Sequence, residues 1–284
     1  MSDMLSALIL GIVEGITEFL PVSSTGHMII VGHMIGFDGN LAKIFDVVIQ
    51  LGAILSVLVL YRSRFVRFFT KEGWQLGKGL SAYHVLAGCV PTMAFALLVH
   101  SFIKKYLFSP FTVAIGLVLG AILMMAAERK IRGHEAELVQ DVDHISLKQA
   151  LYIGFYQFLS LWPGFSRSGS TIGGALLVGV SRKAGADFTF IMALPIMVAA
   201  CLYELLKNIS ALSSGDFAVL GLGFAVAFAV AYFSILWFIG FLNRSTLKSF
   251  AVYRILLALF TLWYFTAEKK QGPLADDTRQ EANS

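Results

Sequence analysis

Apolar residues run in segments at about 4–20, 28–37, 44–61, 83–99, 111–127, 147–163, 170–180, 187–206, 217–240 and 249–266. A helix needs about 20 apolar residues to cross a bilayer. Six of these segments approach that length without an internal charge cluster and predict transmembrane helices: 44–61, 83–99, 111–127, 187–206, 217–240 and 249–266. The other four form two shorter pairs, 4–20 with 28–37 and 147–163 with 170–180. Each pair is broken by Pro/Gly/Ser punctuation, PVSSTG at 21–26 and PGFSRSG at 163–169. Broken pairs of this kind predict re-entrant helices whose tips carry non-helical backbone. Such backbone is tolerated at membrane depth only where protein buries it or it lines a cavity.

The two broken pairs repeat one another. A shift of 143 places Gly11 on Gly154, Glu14 on Gln157, Ser23 on Ser166, Thr25 on Ser168, Gly26 on Gly169 and Phe45 on Phe188, with no gap. The match includes polar and glycine positions, which chance similarity between apolar segments would not favour. Each half holds one broken pair and three spans, and because three is odd the second half is inverted. The expected fold is therefore an all-α polytopic membrane protein with an inverted-topology repeat, six transmembrane helices and two pairs of re-entrant helices. One membrane domain covers 1–267, with repeat one at about 1–130 and repeat two at about 147–267. A polar tail at 268–284 is expected to be disordered. Paired broken segments in inverted halves point to a site near the midplane.

Composition agrees with the pattern. The 284 residues are 57% hydrophobic and 14% charged, against about 25% charged in soluble domains. The net charge of +4 resides in loops and implies no nucleic-acid partner. Cys89 and Cys201 lie inside apolar runs, so neither a disulfide framework nor a cysteine metal cluster is expected. Asp3 and the absence of a basic leader argue against a signal peptide. Thirteen basic residues, from Arg62, Arg64 and Arg67 through Arg129, Lys130 and Arg182 to Arg244 and Lys248, fall on one predicted side. By the positive-inside rule that side is cytoplasmic and both termini are periplasmic.

Candidate chemistry concentrates in the broken pairs. Glu14 and Glu18 are four residues apart and share a helix face. Two carboxylates so placed suit a divalent cation or a shared proton; an exposed interfacial pair is the plain structural alternative. Ser23, Ser24 and Thr25 cap a helix start, which is also an anion site, and a hydroxyl there with a base nearby is a candidate nucleophile. His27 follows two residues after Thr25, and His33, without such company, reads as structural. In the second pair Arg167 needs an anionic partner, and its fork suits phosphate oxygens or an ion pair with Glu14 or Glu18. Ser166, Ser168 and Thr171 add hydroxyls at another helix start; Arg254 reads as an ion-pair or interface residue, and Asp46 and Gln50 as outer supporting groups. No nucleotide loop, HEXXH or GXSXG is present. Carboxylates, an imidazole, hydroxyls, an arginine and two helix N-termini at membrane depth suit a phosphate or diphosphate ester with a long apolar tail.

GIVEGITEFLPVSSTGH at 11–27 resembles the glutamate-rich motif of the bacterial undecaprenyl-diphosphate phosphatases, the bacitracin-resistance family. PGFSRSGST at 163–171 is similar to that family's PGxSRSxxT motif, and FDVVIQLGAI at 45–54 fits it as well. The resemblance covers roughly residues 5–265. It implies a bacterial inner-membrane hydrolase that converts undecaprenyl diphosphate to undecaprenyl phosphate and inorganic phosphate. That reaction recycles the lipid carrier for peptidoglycan and cell-wall synthesis and confers bacitracin resistance. The resemblance further implies a Mg²⁺ or Ca²⁺ cofactor and, often, a homodimer. Carried over by motif, Glu14, Glu18, Ser24, His27 and Arg167 are central, Glu14 and Glu18 toward the metal, with Ser23, Thr25, Ser166, Ser168 and Thr171 around the phosphate. The competing class is a secondary transporter or flippase of an anionic lipid, because inverted repeats and broken helices are also transporter hallmarks.

Overall fold

The computed structural model describes residues 2–37, 39–208, 212 and 216–281. The chain is helical, and among the described residues the one β-bridge is the isolated Val139–Val180 pair. Eleven α-helices follow in order: α1 (Asp3–Thr17), α2 (Ser24–Ile35), α3 (Gly39–Leu60), α4 (Arg62–Phe68), α5 (Ala82–Tyr106), α6 (Pro110–Ile131), α7 (Leu147–Gln157), α8 (Arg167–Leu177), α9 (Arg182–Asn208), α10 (Asp216–Leu242) and α11 (Lys248–Glu281). The side chains of the polar tail from 269 onward, expected to be disordered, lie outside the described residues.

Among the described residues six helices are long and apolar enough to cross a membrane, with spans at Leu41–Leu60, Ala82–Val99, Pro110–Ile131, Arg182–Lys207, Asp216–Leu242 and Lys248–Glu268. Five of them contain one of the segments read from the apolar pattern, and Leu41–Leu60 covers the sixth, 44–61, up to its last residue. The broken pairs are shorter: α7 and α8 have 11 residues each, about 16 Å of helix against a hydrocarbon core of about 30 Å.

Small residues set the packing. α1 lies along α10 and α7 along α5, while α3 pairs with α9 and α6 with α11. A Cβ on Gly11 would sit 2.9 Å from the Gly223 carbonyl oxygen, and one on Gly154 would sit 2.5 Å from that of Gly88. The two aligned glycines thus let α1 and α7 press directly on a neighbour's backbone, as small residues do between membrane helices. Aromatic packing fills the centre: Phe19, in the turn after α1, meets Phe190 edge-on at 5.3 Å, and Phe190 continues to Phe238.

The loops at one end are tied together by charge. The Arg182 guanidinium forks onto Glu128, which also accepts the Leu247 N–H. Lys130 reaches the Leu177 carbonyl. Arg64 forks onto Asp143 at 2.6 and 3.1 Å, and Asp143 also accepts the Leu80 N–H at 2.9 Å. Burial pushes the Asp143 carboxyl up, but the Arg64 fork and the Leu80 amide outweigh it and hold it below its ordinary value. A carboxyl held low adds stability that is present above its unfolded pKa and lost as pH falls through the folded value. Asp143→Asn is therefore expected to lower stability by about 1 kcal/mol at neutral pH, the scale of a half-exposed pair. The difference should shrink as pH falls below the unfolded value of ~3.9 and on through the lower folded value. Thermal unfolding of the detergent-solubilised protein across that range measures it, and a pH-independent difference would refute it.

Candidate active site

The two broken pairs are built on one local plan. α1 ends at Thr17 with Glu18 as its C-cap, the chain turns through Phe19–Val22, and α2 begins at Ser24. α7 ends at Gln157, a 3₁₀ turn covers Phe158–Leu161, and α8 begins at Arg167. The residue before each new helix has left-handed backbone: Ser23 at φ 72° and Ser166 at φ 70°, the two non-glycine residues with positive φ among those described. Each caps its own helix, the Ser23 Oγ accepting from Gly26 N at 3.3 Å and the Ser166 Oγ from Gly169 N at 3.2 Å. A non-glycine residue held there costs about 1–3 kcal/mol and marks a place where surrounding structure dictates the backbone. What that geometry does is aim the next side chain, Ser24 in one half and Arg167 in the other.

Both aims converge on Glu18. The Ser24 hydroxyl donates to Glu18 Oε2 at 2.5 Å, and Arg167 Nη2 donates to Glu18 Oε1 at 2.8 Å. The loops are also joined directly, because the Ser168 hydroxyl donates to the Leu20 carbonyl at 2.8 Å. The Trp162 indole anchors the second loop to the Thr112 carbonyl at 2.9 Å. A cavity of about 160 Å³ opens over the convergence, lined by Glu18, Ser23, Ser24, Thr25, Ser166 and Arg167, with Gln50, Ser160, Trp162, Pro163, Gly164 and Met197 completing the wall.

The remaining sequence candidates are not on that wall. Glu14 is fully buried, and among the described residues neither of its carboxylate oxygens has a hydrogen-bond partner. Arg167 Nη1 is likewise buried without a partner there, while the guanidinium lies 5.8 Å over the Phe19 ring. His27 presents Nδ1 to the Ser23 carbonyl at 2.8 Å and Nε2 to the Tyr253 hydroxyl at 2.6 Å, so neither ring nitrogen is on Ser24. The Thr171 hydroxyl is turned into the protein, bonding the Arg167 carbonyl and accepting from Thr189. His33 meets Tyr264 and Glu268. Among the described residues no group of three or more His, Cys, Asp or Glu gathers into a metal-ligand set.

Arg254, read from the sequence as an ion-pair or interface residue, binds backbone carbonyls and not a carboxylate. It is fully buried in α11 and, among the described residues, makes no ion pair. Its Nε donates to the Leu117 carbonyl, and its Nη2 to the carbonyls of Gly116, Gly164 and Phe165. A carbonyl partner carries no signature in a sequence, so the arginine could be noticed but not placed.

Residues 7–260 match the family described as "Bacitracin resistance protein BacA". The chain belongs to this family. It is 49% identical over 265 residues to "Undecaprenyl-diphosphatase 1" of a Bacillus cereus strain, covering 93% of this chain and 99% of that one. It is 46% identical over 267 residues to "Undecaprenyl-diphosphatase" of Maridesulfovibrio salexigens, covering 94% and 100%. The family match takes in both motif turns and α11 as far as Phe260, and with it every residue on the cavity wall.

Proposed function

We propose that the protein is a membrane phosphatase that hydrolyses undecaprenyl diphosphate to undecaprenyl phosphate and inorganic phosphate, returning the lipid carrier to cell-wall synthesis. The observation that carries this reading is the Glu18 carboxylate held between the Ser24 hydroxyl and the Arg167 guanidinium on the wall of a polar cavity within apolar helices. The two relatives named undecaprenyl-diphosphatase, matched over nearly their whole length, support the substrate.

The residues supply a complete route. The diphosphate takes the place Glu18 now has on Arg167, whose partnerless Nη1 gives the fork its second donor. The N-termini of α2 and α8, with their first N–H groups lacking helical partners, add further donors. As Ser24 attacks the terminal phosphorus, its proton passes to Glu18. The bond to the bridging oxygen breaks, and undecaprenyl phosphate leaves and takes up that proton. Water then attacks the phosphoserine while Glu18 accepts a proton from it; inorganic phosphate departs and the Ser24 oxygen is reprotonated. His27 supports this site through the Ser23 carbonyl.

Glu14 fits a divalent cation, since its two buried oxygens have no partner and Glu18 lies one turn away on the same helix face. Mg²⁺ held by one or two carboxylates and completed by phosphate oxygens is a common arrangement. Mg²⁺ or Ca²⁺ held by Glu14 and Glu18 would neutralise charge on the reacting phosphate.

The matching caps of Ser23 and Ser166, and the corresponding pairings of α1 with α10 and α7 with α5, support an inverted repeat with re-entrant pairs. The basic end formed by Arg64, Lys130 and Arg182 supports a cytoplasmic position for that end and periplasmic termini in the bacterial inner membrane. The same inverted packing would suit a transporter. The decisive test is phosphate release from a polyprenyl diphosphate in detergent, where no transport exists, with and without chelator. Release that stops with chelator is expected; no release at any metal concentration would overturn the reading.

A further inference from the structure

Each half of the site rests on a strained residue, and α11 reaches the surroundings of each: Tyr253 bonds the His27 that holds Ser23, and Arg254 bonds the two residues before Ser166. Ser23 precedes Ser24 at φ 72°, and its carbonyl receives His27 Nδ1 at 2.8 Å. A carbonyl only accepts, so Nδ1 carries the proton and Nε2 of the neutral ring is the acceptor. The group on Nε2 is the Tyr253 hydroxyl at 2.6 Å, its ring parallel to the imidazole within 5° and 5.7 Å away. The Ser23 carbonyl thus sets the tautomer, Tyr253 holds the rotation of the His27 ring, and His27 holds the Ser23 carbonyl.

In the other half, Ser166 precedes Arg167 at φ 70°. The two residues before it, Gly164 and Phe165, give their carbonyls to Arg254 Nη2 at 2.8 and 2.7 Å. The same side chain is tied to α6 through the carbonyls of Gly116 and Leu117 at 3.2 and 3.1 Å. α6 makes room for it with glycine: a Cβ at Gly120 would collide with the Arg254 guanidinium and lie 2.6 Å from the Phe165 carbonyl oxygen. Among the described residues no carboxylate shares this guanidinium; Nε and Nη2 hold backbone, and Nη1 is buried without a partner there.

We propose that Tyr253 and Arg254, consecutive on α11, are positioning residues for the phosphatase: Tyr253 aims Ser24 through His27 and Ser23, and Arg254 aims Arg167 through the 163–166 loop. One helix thereby sets the nucleophile half and the anion half against each other. Residues one apart on a helix point about 100° away from each other, which is how adjacent positions reach two different loops. This inference rests on the proposed activity and on the roles given there to Ser24 and Arg167.

Steady-state kinetics of the detergent-solubilised full chain tests it. Tyr253→Phe keeps the ring and removes one hydrogen bond; kcat should fall about tenfold, with KM within about twofold and an unchanged unfolding midpoint. Added to His27→Ala, Tyr253→Phe should cost less than about twofold more, because its effect passes through a residue no longer there. Arg254→Lys keeps the charge but cannot hold four carbonyls, so both KM and the inhibition constant of inorganic phosphate should rise about fivefold or more. If Arg254→Lys does not fold, Gly120→Ala, which crowds the same guanidinium without removing it, should raise the same two constants. Wild-type kcat in Tyr253→Phe, an equal loss with and without His27, or an unchanged phosphate inhibition constant in the folded α11 or α6 variant would overturn the inference. Wild-type rates in Ser24→Ala and Arg167→Ala would instead overturn the site on which it rests.

Discussion

Arg167→Ala is expected to lower kcat/KM by about 10³-fold, roughly 4 kcal/mol of transition-state stabilisation. Among the described residues the guanidinium is the one cationic group on the cavity wall, and charge developing on a transferring phosphoryl group is where such a donor contributes most. Arg167→Lys should recover less than about tenfold, because an ammonium cannot present two parallel donors to one phosphate. The alanine variant also leaves Glu18 without its counter-charge at a half-dry site, so the unfolding midpoint must be measured beside the rate. A folded Arg167→Ala that hydrolyses a polyprenyl diphosphate at the wild-type rate would remove Arg167 from the site.

Much of this could be read from the chain because the relevant signals are local. The six spans are long apolar runs, and length alone nearly decides them. The broken pairs are visible because Pro21 and Pro163 interrupt apolar segments and hydroxyl residues follow. The shift of 143 brought Ser23 onto Ser166, and these are the two residues that share left-handed backbone. What stayed hidden depends on how helices are rotated against one another. Ser168 and Thr171 sit in the same motif as Arg167, yet one bonds the Leu20 carbonyl and the other the Arg167 carbonyl, turned from the cavity. Ser160, Trp162 and Met197 reach the wall from positions with no chemical signature, and Tyr253 meets His27 across 226 residues of chain. Periodicity indicates that a helix has a buried face but not which distant side chain that face meets.

The second large effect concerns the Ser24–Glu18 pair. Ser24→Ala removes the hydroxyl that donates to Glu18 at 2.5 Å; a phosphatase with a serine nucleophile then keeps only its binding and electrostatic terms, and kcat should fall by about 10³-fold or more. Glu18→Gln is nearly isosteric but cannot accept a proton, so it should lose about as much, and the double variant should lose little beyond either single one, as expected for residues that act as a unit. Losses that simply multiplied would separate the two roles. Glu18→Gln also strips the formal charge opposite Arg167, so substrate affinity should hold or tighten while turnover collapses, a split that loss of fold would not produce. The covalent step has its own signature: quenching the wild-type enzyme in acid during turnover should leave phosphate on the peptide containing Ser24, absent from both variants. Full activity in Ser24→Ala would eliminate the serine nucleophile and move the attack to water activated by Glu18, whose position between Ser24 and Arg167 serves either route.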